Sequence, residues 1–269
     1  MPKLSDITPE QRFVAMFVGE SGTGKTCAAC SFPKPLEDLD FDGRIRGAWN
    51  KPWIPMEGIS YEFFPPRQNG MIEGLNKKLE AMQLVADMGS AAAMPLPKTE
   101  VLDSLTSECF AMVMQAMPLT HSPGGKGEQK KGKYLGITPM AGPEDYGFEA
   151  QVTYSLLSWF RSMPIPNIIV TAHVVPIYGK EDPGNPFSNN IVVGEKLSVR
   201  DKIGANVGIY FDHVFRFKKG EGAFQKEKYT VQFRGGLCRT AWDFLPDGEV
   251  DITGINFYEK LMSYFSKEK

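Results

Sequence analysis

The chain lacks the features that would place it in a membrane or an oxidising compartment. None of its apolar runs approaches the roughly 18 residues that a membrane span requires. The N-terminus does not have the basic-then-apolar form of a signal peptide. These absences predict a soluble, cytoplasmic protein with no membrane partner. Cysteine is scarce: four in 269 residues, without framework spacing, which excludes a disulfide scaffold and fits a reducing compartment. Cys109 and Cys238 are isolated, which argues against a zinc site. Cys27-Ala28-Ala29-Cys30 has redox spacing, but its setting makes it small, packed side chains. An excess of positive charge is also missing. At a net charge of −2 no global field draws the protein to nucleic acid, so any such contact must come from local basic patches. There is no internal repeat. Aromatics are not scarce: at 12%, with 42% hydrophobic residues, they exclude disorder and suit one sizeable α/β core.

What is present is dominated by Gly19-Glu20-Ser21-Gly22-Thr23-Gly24-Lys25-Thr26. It reads G-x-x-x-x-G-K-T, the phosphate-binding loop of nucleoside triphosphatases. The glycines let successive N–H groups turn toward phosphate oxygens, Lys25 neutralises the β/γ-phosphates, and Thr26 offers its hydroxyl to Mg²⁺. The apolar run Phe13–Val18 precedes the loop, and Thr26–Cys30 opens a short helix stopped by Pro33. Strand, glycine loop and helix are the context this motif needs.

Strands are expected at 36–41, 59–64, 99–102 and 167–173, with helices at 72–85, 105–117, 146–163 and 256–266. Two segments, 118–145 and 176–206, read as long irregular stretches, the first a functional or disordered loop. Residues 211–218 and 229–234 suggest a β-hairpin around Lys219-Gly220-Glu221-Gly222. Alternating strands and helices imply a mostly parallel sheet with ligands at the C-terminal strand ends. A phosphate loop needs a carboxylate that organises the metal. Asp103, ending Val101-Leu102-Asp103-Ser104, fits that need alongside Thr26.

Asp40-Phe41-Asp42-Gly43, Asp103-Ser104 and Thr171-Ala172-His173, in this order behind the phosphate loop, resemble the motifs of phage-encoded RecA-like ATPases, including the Sak-type single-strand annealing proteins. The resemblance covers about residues 12–240. It implies a RecA-like P-loop α/β core with a mostly parallel central sheet flanked by helices, plus a C-terminal β-hairpin. A single domain over 1–269 is implied, with a C-terminal extension from about 241. The family would place at Asp42 the carboxylate that polarises the attacking water, although Asp40 stays open as the acid that reaches it. His173 falls where the family has a γ-phosphate sensor leading into a mobile loop. ATP and Mg²⁺ are the implied cofactors. Single-stranded DNA, a ring or filament of identical chains and a single-strand DNA-binding protein are the implied partners, in the cytoplasm of a bacterial host.

Lys126, Lys130, Lys131 and Lys133, followed by Tyr134, form a lysine-rich run that reads either as a DNA track or as a solvated charge run. Arg200 and Lys202 end the second irregular segment and could touch DNA or a neighbour's triphosphate. The basic residues of the hairpin protect an edge strand equally well. Two other activities share the phosphate loop: a nucleotide-dependent switch such as a helicase loader, and a nucleotide kinase. A kinase would normally carry an arginine-rich lid, and these loops are rich in lysine.

Overall fold

The structure, a computed structural model, describes residues 12–49, 51–66, 70–89, 95–120, 141–182, 184, 188–222 and 226–266. Phe13–Val18 forms strand β1, and all six of its residues are buried. A strand apolar on both faces belongs in the middle of a sheet covered on both sides. β1 lies there, in an eight-stranded sheet with β2 (Leu36–Asp40), β3 (Ile59–Phe63), β4 (Thr99–Asp103), β5 (Asn167–Ala172), β8 (His213–Glu221), β9 (Glu227–Gln232) and β10 (Glu249–Asp251). The order is β3-β2-β4-β5-β1-β8-β9-β10. The first six are parallel, and β9 and β10 are added antiparallel at one edge.

Alternate residues of β1 enter different cores. Val14, Met16 and Val18 join Leu39, Leu102, Ile168 and Val170 beneath helices α2 (Met71–Met88), α3 (Leu105–Thr120) and α4 (Pro143–Ser162). Phe13, Ala15 and Phe17 join Val101 and Ile169 on the other face, covered by α1 (Lys25–Ala29) and α6 (Phe257–Phe265). That second core is largely aromatic. Phe17 lies 4.9 Å from Phe217 and meets Phe257 edge-on at 5.6 Å, while His213 packs 4.1 Å from Trp242. Burial pushes the His213 imidazole down to about 4, so it sits in the core as a neutral ring, with Nδ1 2.9 Å from the Thr240 hydroxyl.

The strands and helices expected from the sequence are present, and four features depart from expectation. The hairpin turns later than expected: Lys219, Gly220 and Glu221 lie within β8, level with Tyr229, Lys228 and Glu227, because the pairing with β9 continues through them. The segment 176–206 is regular for much of its length: β6 (Val174–Lys180) and β7 (Asn190–Leu197) pair antiparallel as a separate two-stranded sheet, followed by α5 (Asp201–Asn206). Its Pro- and Gly-rich centre conceals two short β-branched runs. Helix α4 starts at Pro143 rather than Tyr146. Proline suits a first helical position, and the Gly142 N–H donates to the Asp145 carboxylate at 2.6 Å. β10 is an additional strand. Lys126, Lys130, Lys131, Lys133 and Tyr134 lie outside the described residues. Among the described residues no helix is long and apolar enough to cross a membrane.

Candidate functional site

Register brings the predicted residues to one end of the sheet. Val18 is level with Ala172 on β5, and Asp40 on β2 is level with Asp103 on β4. The loops that follow β1, β2, β4 and β5 therefore meet at the C-terminal strand ends, where open α/β sheets bind ligands.

The glycine loop leaves β1 through Gly19, whose N–H donates to the Ala172 carbonyl at 3.1 Å. A Cβ at Gly19 would stand 2.6 Å from both the Phe217 carbonyl and the Thr23 hydroxyl, so no side chain fits. Gly24 enters α1 at φ 89°, in the left-handed region that glycine reaches without strain. Thr23 ties the loop by donating to the Glu20 carbonyl at 2.9 Å. Inside the curl sits the Lys25 ammonium, donating to the carbonyls of Gly19 (2.9 Å) and Glu20 (2.8 Å). Burial pushes Lys25 down to about 8, against the pull of Asp103 and Asp42.

Asp103 is buried at the end of β4. Its Oδ2 accepts from the Thr26 hydroxyl at 2.6 Å and its Oδ1 accepts from Thr171. Burial raises its carboxyl despite these bonds. The Asp103–Ser104 peptide is cis. Asp40 and Asp42 do different things. Asp40 Oδ1 accepts from the backbone N–H of Asp42 (3.0 Å) and Gly43 (2.6 Å), so this acid shapes the turn. Asp42 faces the site: Oδ2 is 3.1 Å from His173 Nε2, and Oδ1 accepts from Ser104 at 3.1 Å and from Ser107. Burial would raise the Asp42 carboxyl, but hydrogen bonds from His173 and Ser107 prevail and bring it down to about 2. The opposite ring nitrogen of His173 lies 3.4 Å from the Lys25 ammonium, and its backbone N–H donates to the Thr106 hydroxyl at 3.0 Å. His173 thus bridges Lys25 and Asp42, and the residue after it begins β6.

These groups open onto a cavity of about 530 Å³. Beyond the phosphate loop, Asp42, Asp103 and His173, its wall includes Arg44, Lys51, Trp53, Tyr229 and the stretch 252–255 between β10 and α6. Sequence reading missed this second wall. Arg44, Lys51 and Trp53 come from the 43–58 stretch, whose glycines, prolines and tryptophans give no local sign of which way its side chains face. Among the described residues no group of three or more His, Cys, Asp or Glu side chains is placed to hold a metal. A hydroxyl, one carboxylate and phosphate oxygens suffice for Mg²⁺, which keeps several waters, so Thr26 and Asp103 fit that ion.

Arg200 and Lys202 lie outside this cavity. The Arg200 Nε donates to Glu149 at 2.5 Å and its guanidinium lies 4.6 Å from the Tyr146 ring centroid. Lys202 is exposed; its carbonyl accepts from the Tyr154 hydroxyl at 2.9 Å.

No family profile and no curated protein matches the chain. Among solved structures, a KaiC-like protein from the hyperthermophilic archaeon Pyrococcus horikoshii OT3 is 14% identical over 92% of both chains, with a TM-score of 0.41. The flagellar accessory protein FlaH from Methanocaldococcus jannaschii is 9% identical over 88% of both, with a TM-score of 0.38. Likenesses this distant carry nothing about activity, substrate or assembly. The architecture is a phosphate-loop α/β fold: a mostly parallel central sheet flanked by helices, extended by a C-terminal hairpin.

Proposed function

We propose that the chain is a Mg²⁺-dependent ATPase, built as one domain over 1–269. The observation that carries this reading is the convergence of Lys25, Thr26, Asp103, Asp42 and His173 on one cavity, with Lys25 and Asp42 each at hydrogen-bond distance from His173 and Thr26 bonded to Asp103. Residues 19–26 hold the phosphates. Lys25 exchanges the carbonyls of Gly19 and Glu20 for phosphate oxygens. Thr26, with Asp103 behind it through water, holds Mg²⁺, which supplies positive charge against the phosphates. Asp42 stays ionised near neutral pH and orients the attacking water. His173 links that acid to Lys25 and passes the state of the site to β6.

The finer reading is action on single-stranded DNA, in recombination, annealing or replication, by an assembly of identical chains in the cytoplasm. A single-strand DNA-binding protein is a further partner. The resemblance stated from the motifs supports it, together with Lys126, Lys130, Lys131, Lys133 and Tyr134 as a strand track and Arg200 or Lys202 reaching a neighbour. A second reading, a nucleotide-driven switch on a protein partner, is favoured by the hairpin attached to His173. It exposes Ile177, Tyr178, Ile191, Val192 and Val193, an apolar rather than a basic surface.

The test is ATP hydrolysis by the purified chain with and without Mg²⁺ and single-stranded DNA. Mg²⁺-dependent turnover stimulated by DNA is expected. Turnover indifferent to DNA leaves the switch reading, and absence of both binding and turnover removes the ATPase.

A further inference from the structure

Among the described residues, the arginine that lines the cavity has no carboxylate partner. Arg200 pairs with Glu149, Arg216 with Glu195, Arg161 with Asp212 and Arg234 with Asp243 and Asp247. Arg44 pairs with no carboxylate among the described residues; its recorded side-chain bond is from Nη1 to the hydroxyl of Ser21, within the phosphate loop. Arg44 also lines the cavity, as do Lys25 and Lys51. A guanidinium has five N–H donors in a fixed fork that matches phosphate oxygens. Engaging one of them with a neutral hydroxyl leaves the others for an anion.

The segment that carries Arg44 is firmly held. Asp40 fixes the turn on one side through the N–H groups of Asp42 and Gly43. On the other, a 3-10 turn over Ile45–Gly47 seats Ile45 and Ala48, both buried, against Cys30 behind α1. Asp42, the water-positioning acid of the proposed mechanism, stands two residues before Arg44. Ser21 is the third residue of the phosphate loop, across the cavity mouth. Arg44 therefore joins the phosphate loop to the turn that carries Asp42.

We infer that Arg44 is a phosphate clamp supplied in cis, contacting the terminal phosphate of a nucleoside triphosphate from the turn that also carries Asp42. The inference rests on the ATPase reading. It differs from a finger lent by a neighbouring subunit in that each chain carries its own. The clamp would separate triphosphate from diphosphate, because the contacts of the loop N–H groups and Lys25 to the inner phosphates remain without it.

The test measures equilibrium binding of MgATP and MgADP, and turnover, for wild type, Arg44→Ala, Arg44→Lys and Ser21→Ala. The exposed position of Arg44 leaves the fold undisturbed. Arg44→Ala is expected to weaken MgATP binding about 10-fold or more, to change MgADP binding less than about 3-fold, and to lower turnover about 100-fold or more. Arg44→Lys should restore only part of the loss, since a point charge cannot replace the fork. Equal weakening of ATP and ADP, or unchanged turnover, overturns the clamp. So does Ser21→Ala reproducing the Arg44→Ala losses, which would mean that Arg44 merely props the phosphate loop. A wild-type protein that binds neither nucleotide would instead remove the ATPase reading itself.

Discussion

At the scale of single residues the site depends on charges held where water is scarce. The Lys25 ammonium is stabilised by two loop carbonyls and lowered by burial to about 8. Triphosphate attracts the protonated form, so bound Lys25 must titrate above free Lys25. MgATP affinity is therefore full below about pH 8 and falls as pH rises beyond it. Titrations between pH 7 and 9.5 should show this decline, and Lys25→Met should bind weakly with a flat profile. An identical decline in the variant would mean that another group titrates. The two acids of the β2 turn separate by function. Asp42→Asn should keep MgATP binding and lose about 100-fold or more in turnover, because the role proposed for it is on the attacking water. Asp40→Ala should cost about 1 kcal/mol in chemical denaturation, by leaving the N–H groups of Asp42 and Gly43 without their acceptor. If Asp40→Asn is inactive while Asp42→Asn keeps full turnover, the roles are reversed.

At the scale of elements, the contact between α3 and α4 buries a carboxyl that the site does not use. Glu108 is fully enclosed, with Oε2 accepting from Thr153 at 2.9 Å and Oε1 without a hydrogen-bond partner among the described residues. Burial pushes it up to about 8. A carboxyl raised above its unfolded value contributes stability that is complete below that value, about 4.3, and fades as pH rises toward about 8. Glu108→Gln keeps the shape and removes the titration. Denaturation at pH 5 should find variant and wild type within about 1 kcal/mol, and at pH 8.5 the variant should be the more stable by more than about 1 kcal/mol. Parallel pH profiles for the two proteins would contradict this. The hairpin β6–β7 poses a different question. It pairs with itself, shows apolar side chains to solvent, and begins at the residue after His173. Its base packs on the main sheet, with Val174 and Leu197 in the core and Glu195 paired with Arg216 of β8, so a change at His173 would reach its exposed part through a held base.

At the scale of the whole molecule, a net charge of −2 gives no general attraction to a polyanion. DNA binding by this chain would therefore rest on local lysines. Neutralising Lys126, Lys130, Lys131 and Lys133 together should lower single-strand affinity and flatten its dependence on salt, as fewer counterions are released. Unchanged affinity in a filter or anisotropy assay would move the strand elsewhere. One chain of this size offers a short track, so useful affinity calls for several chains side by side. Light scattering is expected to show larger species with ATP and DNA together, and a monomer under all conditions would favour the switch.

Several features were determined by the sequence alone, because their physics lies within a few neighbouring residues. The glycine spacing of residues 19–26 specifies its loop, the unbroken apolar run 13–18 specifies a buried strand, and Asp103 ends a strand where a metal-organising acid is needed. The resemblance built on those motifs added Asp42 and His173, which do meet across the cavity at 3.1 Å. Other features were decided by tertiary structure. Asp40 and Asp42 are chemically alike and two residues apart, and only the turn geometry and the arrival of His173 from β5 assign one to the backbone and the other to the site. Nothing in the sequence around Arg44 points to the phosphate loop; the sheet that holds β1 and β2 brings it to Ser21. Trp53, Tyr229 and the 252–255 stretch come from three distant parts of the chain and share a wall because α6 closes over the aromatic face of the sheet. Local backbone chemistry is written in adjacent residues, whereas convergence across 100 residues or more, as between Asp42 and His173, follows from strand order and register, which no short stretch encodes.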